Sequence, residues 1–210
     1  MTQAASQRAY HHGNLRAELL AEAAEQLRHT PAEQLSLRAV ARSLGVSQTA
    51  PYRHFSGKEA LLAAIATRGY RELLALLGAA RDAGSESAAK QLRLVARAYV
   101  DFAASQEQIF KLMFGPLVQP SDDYPELRAV SRETLLLVQS ILQFGMENGE
   151  FEKQDALYLA NASWAGIHGV ATLRVDTPSL FSKHVDLLRQ IDVSVNAFIN
   201  GIRRRDHETP

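Results

Sequence analysis

The stretch LSLRAVARSLGVSQTAPYRHFSGK, residues 35–58, decides the fold. Leu37, Val40, Ala41 and Leu44 recur at the spacing of one buried helical face, behind Ser36, a residue type suited to capping a helix start. Gly45 follows where a helix end favours a positive φ. Val46 anchors the turn, and Ser47 is placed to cap a short second helix over roughly Gln48–His54. That helix is too small to be stable alone. Val46, Ala50 and Phe55 must hold it against its neighbours, leaving Gln48, Thr49, Tyr52, Arg53 and His54 facing outward. Ser56-Gly57-Lys58-Glu59 then has the spacing of a capping box opening a third helix. This is the layout of a helix-turn-helix, whose second helix lies in the major groove of DNA.

The outward group offers hydroxyl, amide, imidazole and guanidinium functions, which suit phosphate and base-edge contacts. Lys58 falls in the first turn of the third helix, where a cation opposes the helix dipole unless an anion such as phosphate is near. Pro51 disfavours helical geometry at Ala50 and removes one N–H, so the second helix can begin as a tight 3₁₀ turn.

With the Tyr52-Arg53-His54-Phe55…Lys58-Glu59 constellation in place, residues from about His12 to Tyr70 resemble the DNA-binding domain of TetR-family transcriptional repressors. The resemblance implies phosphate contacts from Tyr52, His54 and Lys58. It brings Gln48, Thr49 and Arg38 toward base edges, with Ser47 and Arg53 in the same contact surface.

Composition excludes several classes. The chain has 210 residues, 46% of them hydrophobic, and no run approaches a membrane span. The opening MTQAASQRAYHHG is polar and carries no signal pattern, so a cytoplasmic location is expected. The absence of cysteine removes structural disulfides, thiol redox sensing and thiolate metal sites. Formal net charge is zero, but residues 1–58 hold seven Lys/Arg against four Glu, a net +3, with −3 on the remainder. His11, His12, His29 and His54 add donors to the same region. The asymmetry suits a DNA-binding head on a body that does not bind DNA.

Residues 1–13 read as a flexible arm, either a frayed terminus or a segment touching DNA. Its adjacent His11 and His12 have no nearby carboxylate or cysteine to complete a metal site. An amphipathic helix from Asn14 to about Arg28 presents Leu15, Leu19, Leu20, Ala23, Ala24 and Leu27 on one face. The head therefore spans residues 14–60. A helix from Gly57 to about Ala83 is long enough to enter two cores. Further helices are expected over 87–105, 108–114, about 126–148 (closed by Gly149), 153–174 and 184–204, with a linker or lid at 115–125 and a loop at Asp176-Thr177-Pro178-Ser179. The fold class is all-α, with residues 84–205 as a larger effector-binding and dimerisation domain.

Within WAGIHGVATLR, residues 164–174, Trp164 and His168 share a helix face. Gly166 and Gly169 are costly inside a helix, which argues for close approach of another backbone. The segment resembles the Trp…His-Gly motif of one subgroup of TetR-type C-terminal domains, sometimes called WHG. The final helix aligns Leu187, Leu188, Ile191, Val195, Phe198 and Ile202. The resemblance implies a homodimer formed by paired C-terminal helices, matching a two-fold symmetric operator in double-stranded DNA.

Candidate walls of an effector pocket are Tyr99, Phe102, Phe110, Met113, Phe114, Leu137, Trp164 and His168, with ordinary core packing as the alternative for each. His168 is either a satisfied interior histidine or the polar anchor of an apolar small-molecule site. No acidic or basic cluster identifies the effector, and no cofactor or metal is expected. An enzyme would need a catalytic constellation, yet there is no Gly-rich phosphate loop, HExxH, G-x-S-x-G or cysteine nucleophile. Glu126, Glu133 and Glu147 sit on helices whose charges look solvated. The remaining alternative, a helical interaction module without DNA binding, is disfavoured by Tyr52, Arg53, His54 and Lys58. The reading is a DNA-binding regulator, a homodimeric repressor released by an effector.

Overall fold

A computed structural model describes residues 14–119 and 123–204. The expected N-terminal arm, residues 1–13, lies outside that range, as does part of the 115–125 linker. Nine α-helices run in order among the described residues: α1 Leu15–Leu27, α2 Leu37–Ser43, α3 Lys58–Ala83, α4 Ala88–Ser105, α5 Glu107–Phe114, α6 Pro125–Glu147, α7 Ala156–Asp176, α8 Pro178–Lys183 and α9 Leu187–Ile202. Short 3₁₀ turns occupy Ala32–Gln34, Ala50–Arg53 and Pro116–Val118. Among the described residues there is no strand, only an isolated antiparallel bridge between Phe151 and Arg203.

The head forms because α1 and α2 are each too short to stand alone and share a core with the start of α3. Leu19, Ala23 and Leu27 of α1 meet Leu37 and Val40 of α2, Phe55, and Leu61, Leu62 and Ile65 of α3, all buried. Each large apolar side chain so buried contributes about 1.5–3 kcal/mol relative to exposure. Gly45 takes φ +69 at the α2 exit and Gly149 takes φ +79 after α6, as their positions in the sequence require.

Helix α3 is 26 residues, about 39 Å at the usual helical rise. Its first turns belong to the head, whereas Leu73 and Leu77 are buried in the body against α4 and α6. Helices α4 and α6 pack against this half of α3, α7 lies on α4 and α6, and α9 closes over α4 and α7. Glu150, in the loop after α6, caps α4: it accepts from Ser87 Oγ at 2.8 Å and from the amides of Ala88 at 2.7 Å and Ala89 at 3.1 Å. A carboxylate on those unpaired amides also complements the helix dipole.

Several local expectations are corrected. Ser36 occupies the N-cap position of α2 but its side chain makes no capping bond. The residue before α3 is Gly57 rather than Ser56, so the capping box does not form. Pro178 opens α8 within the segment read as a loop, since proline fits the first turn of a helix. An added Cβ on Gly166 or Gly169 would meet nothing within 4 Å, so among the described residues no backbone of another element approaches them.

Candidate nucleic-acid interface and effector cavity

The second helix of the helix-turn-helix is reduced to a 3₁₀ turn, Ala50–Arg53, rather than the α-helix expected over Gln48–His54. Pro51 accounts for this. It offers no N–H, and its own carbonyl accepts from the amides of His54 and Phe55, closing the segment tightly. Pro51 and Phe55 are buried beneath the turn. Ser47, Gln48, Thr49, Tyr52, Arg53 and His54 are all exposed, Tyr52 by 50%.

Ser47 does not cap the short segment. Its Oγ lies 3.2 Å from Thr49 Oγ1, and Thr49 holds the position before the turn. Arg38 is exposed on α2, with Arg42 one turn further along the same helix, a cation the sequence reading did not select. Neither these two nor Arg53 makes an ion pair among the described residues, so the face keeps its positive charge. Lys58 is committed differently: its Nζ donates to the carbonyl of Glu33. This ties the start of α3 to the 3₁₀ turn before α2 and leaves the ammonium two further donors for a phosphate. Arg16 stacks on Phe55, 5.2 Å from the ring centroid, fixing α1 against the base of the recognition segment.

The body encloses a cavity of about 640 Å³ between α3, α4, α6 and α7, within the range of small-molecule sites. Tyr99, Phe114 and Trp164 line it, together with Tyr70, Leu77, Leu92, Val95, Leu135, Val138 and Ile167. Phe102, Phe110, Met113 and Leu137 do not. Phe102 and Met113 are fully buried packing residues, and Phe110 stands behind the wall, its ring 4.9 Å from that of Phe114. Periodicity identifies a helix face that is apolar, not whether packing on that face is complete.

His168 also sits behind the wall, joined to it by hydrogen bonds. Trp164 Nε1–H donates to the Tyr99 hydroxyl at 3.2 Å, and that oxygen lies 2.8 Å from His168 Nδ1. The indole can only donate, so the tyrosine proton is assigned to Nδ1 of a neutral imidazole. Burial pushes the His168 pKa below the ordinary histidine value and pushes that of Tyr99 up, which suits both groups uncharged. Arg128, Ser131 and Arg132 of α6 also line the cavity and were not selected from sequence. They belong to a helix whose charges read as a solvated face.

The six residues expected at a dimer interface divide. Ile191, Val195 and Ile202 are buried in the core of a single chain, Leu187 and Phe198 are half-buried, and Leu188 is exposed. The apolar face of α9 is thus chiefly its inward face. Outward positions of α7 and α9 are small: Ala162, Ala165, Gly166 and Gly169 on one, Ala197 and Gly201 on the other, flanked by Tyr158, Leu173 and Val193.

A helix-turn-helix head with an unneutralised basic face, sharing one helix with an all-helical body that holds a cavity, is the architecture of a DNA-binding regulator. Residues 19–65 match the model described as bacterial regulatory proteins, tetR family, and residues 92–191 match a tetracyclin repressor-like C-terminal domain. The chain is similar to the uncharacterized HTH-type transcriptional regulator YobS of Bacillus subtilis, 26% identical over 80% of this chain and 82% of that one. A protein with unknown function from Rhodococcus sp. RHA1 superposes with a TM-score of 0.84 at 29% identity, over 94% of this chain and all of that one. The TetR-family regulator PfmR of Thermus thermophilus shares the fold at a TM-score of 0.67 and 22% identity, covering 89% of this chain and 99% of that one. The protein belongs to the TetR family of transcriptional regulators. Among the described residues no helix is long and apolar enough to cross a membrane.

Proposed function

We propose that the protein is a cytoplasmic, homodimeric repressor that leaves a two-fold symmetric operator when a small molecule occupies the body cavity, and that it performs no catalysis. The observation that carries this reading is the continuity of α3. One face of the helix supplies Tyr70 and Leu77 to the cavity wall, and its first turns support the recognition segment. Phe114 of α5 lines the cavity too, and α5 packs on α3 at Gly69, where an added Cβ would lie 2.7 Å from both Ile109 and Met113. A ligand that moves Phe114 therefore acts on a joint with no slack. Release requires that the ligand bind the DNA-incompetent arrangement more tightly.

In this reading residues 14–60 read DNA and residues 84–205 bind effector and partner. Tyr52, His54 and Lys58 hold phosphates, with Ser47 and Arg53 beside them, and Gln48, Thr49 and Arg38 reach base edges. The dimer forms through the small-residue outer faces of α7 and α9, two helices from each copy. Open space over Gly166, Gly169 and Gly201 supports that surface, which replaces the inward face of α9 as the contact.

Fluorescence anisotropy on DNA from the protein's own upstream region, against scrambled DNA across a salt series, tests the reading. Two protomers per site and a steep salt slope are expected. Equal weak binding to both DNAs at every salt concentration would overturn it.

A further inference from the structure

The cavity is chemically lopsided. Along α6 its lining runs Arg128, Ser131, Arg132 and Thr134, then Leu135 and Val138. From Arg128 to Val138 is ten residues, about 15 Å of helix, so a cationic, hydroxyl-bearing end grades into an apolar end along one wall. None of the described lining residues is Asp or Glu. Arg132 makes no ion pair among the described residues, although Glu133 and Glu126 lie on the same helix; Glu126 instead pairs with Arg71 of α3. Both residues are exposed, so an anion held there displaces water from a guanidinium, a cost that the ion pair must exceed.

We propose that the effector is an amphipathic organic anion, its carboxylate or phosphate held by Arg132, one helical turn from the positive charge of Arg128, and its apolar body lying along Leu135, Val138 and Leu77. The inference rests on the cavity being the effector site and adds the charge and orientation of the ligand. A guanidinium fork pairs with either anion, whereas the hydroxyls of Ser131 and Thr134 donate to the carbonyls of Arg128 and Ser131 and leave the anion to the guanidinium. Beyond Thr134 the α6 part of the wall is apolar, Leu135 and Val138.

Trp164 is the single tryptophan of the chain and lines the cavity, so its fluorescence reports occupancy without a label. The full-length protein is titrated with dodecanoate, dodecyl phosphate and the neutral dodecanol, below their aggregation concentrations, as wild type and as R132Q and V138F. The two anions are expected to bind about tenfold tighter than the alcohol, in line with one charge-assisted contact at a partly exposed site. R132Q should remove that margin and leave dodecanol within twofold, whereas V138F should weaken all three by filling the apolar end. A preference between the anions identifies the head group. Equal binding of alcohol and anions, unaffected by R132Q, would overturn the anion inference and leave the cavity as effector site. No response to any of the three would overturn both.

Discussion

The Tyr99 hydroxyl is the hinge point between Trp164 and His168: it accepts the indole N–H at 3.2 Å and faces His168 Nδ1 at 2.8 Å. Two residues one helical turn apart on α7 are thereby fastened to α4 through a single oxygen. Tyr99→Phe keeps the ring and deletes that oxygen, stranding a donor and an acceptor at the edge of the cavity. A loss of about 1–3 kcal/mol is expected from urea unfolding. An unchanged midpoint would show that water replaces the hydroxyl freely.

His168 gives a pH signature. Its pKa in the folded chain is lowered by burial from the ordinary 6.5. Below that ordinary value the unfolded chain takes up a proton that the folded chain resists, so stability falls as pH drops through 6.5 toward the folded pKa, and is fully present above it. Comparing urea midpoints at about pH 7.5 and about pH 5.5, on either side of the ordinary histidine value, in wild type and His168→Gln isolates this residue from the other histidines. The wild type should lose more on acidification; parallel losses would refute the assignment.

On the head, Tyr52→Phe and Lys58→Ala should weaken binding to every DNA sequence, the lysine change also lowering the salt slope by about one. Gln48→Ala should alter sequence preference by about 1–3 kcal/mol at one base position. Lys58 has a second duty, since it donates to the Glu33 carbonyl. The alanine variant is therefore expected to loosen the α2 entry slightly, which urea unfolding would register, while Tyr52→Phe would not.

The outer face of α7 separates folding from assembly. Gly169→Glu adds a charged side chain where a Cβ meets nothing within 4 Å, so the single chain should fold normally. Sedimentation velocity should nevertheless show a monomer in place of a dimer. Ile191→Glu, buried to 0% exposure, should instead unfold the chain. A dimer persisting in Gly169→Glu would place the interface elsewhere.

Gly69→Ala probes the joint between α3 and α5. The added methyl would sit 2.7 Å from Ile109 and Met113. Overpacking of about 1–3 kcal/mol is expected, and in DNA titrations the variant should respond to ligand differently from wild type. The methionine can yield, so a stability loss at the low end of that range is consistent with the close contact.

Much of this architecture is legible in the residues themselves. The spacing of Leu37, Val40 and Ala41, the glycine after them and the run from Lys58 to Ala83 predict the head and its long helix to within a residue or two. What escapes has physical causes. Pro51 lies close enough to a helix start to be tolerated there, and only the competing bonds to its carbonyl reveal a 3₁₀ turn. On α9 hydrophobicity marks Ile191, Val195 and Ile202 as a face but is silent on whether the neighbour belongs to the same chain. The outward face of α7 is built from alanine and glycine, so it carries little hydropathy to notice. Arg128 and Arg132 look solvated in one dimension, and only the position of α6 in the body turns them toward a cavity.

Because α3 is one unbroken helix whose first turns pack with the head and whose later turns pack with the body, inside one continuous hydrophobic core, the head is not a removable cassette. A chimaera joined at residue 60 would sever the helix that supplies Ile65 to the head and Leu73 to the body. Exchange of DNA specificity between relatives is thus confined to changes within the recognition segment, or to transplants that carry the whole of α3 and the surface it presents to α4, α5 and α6.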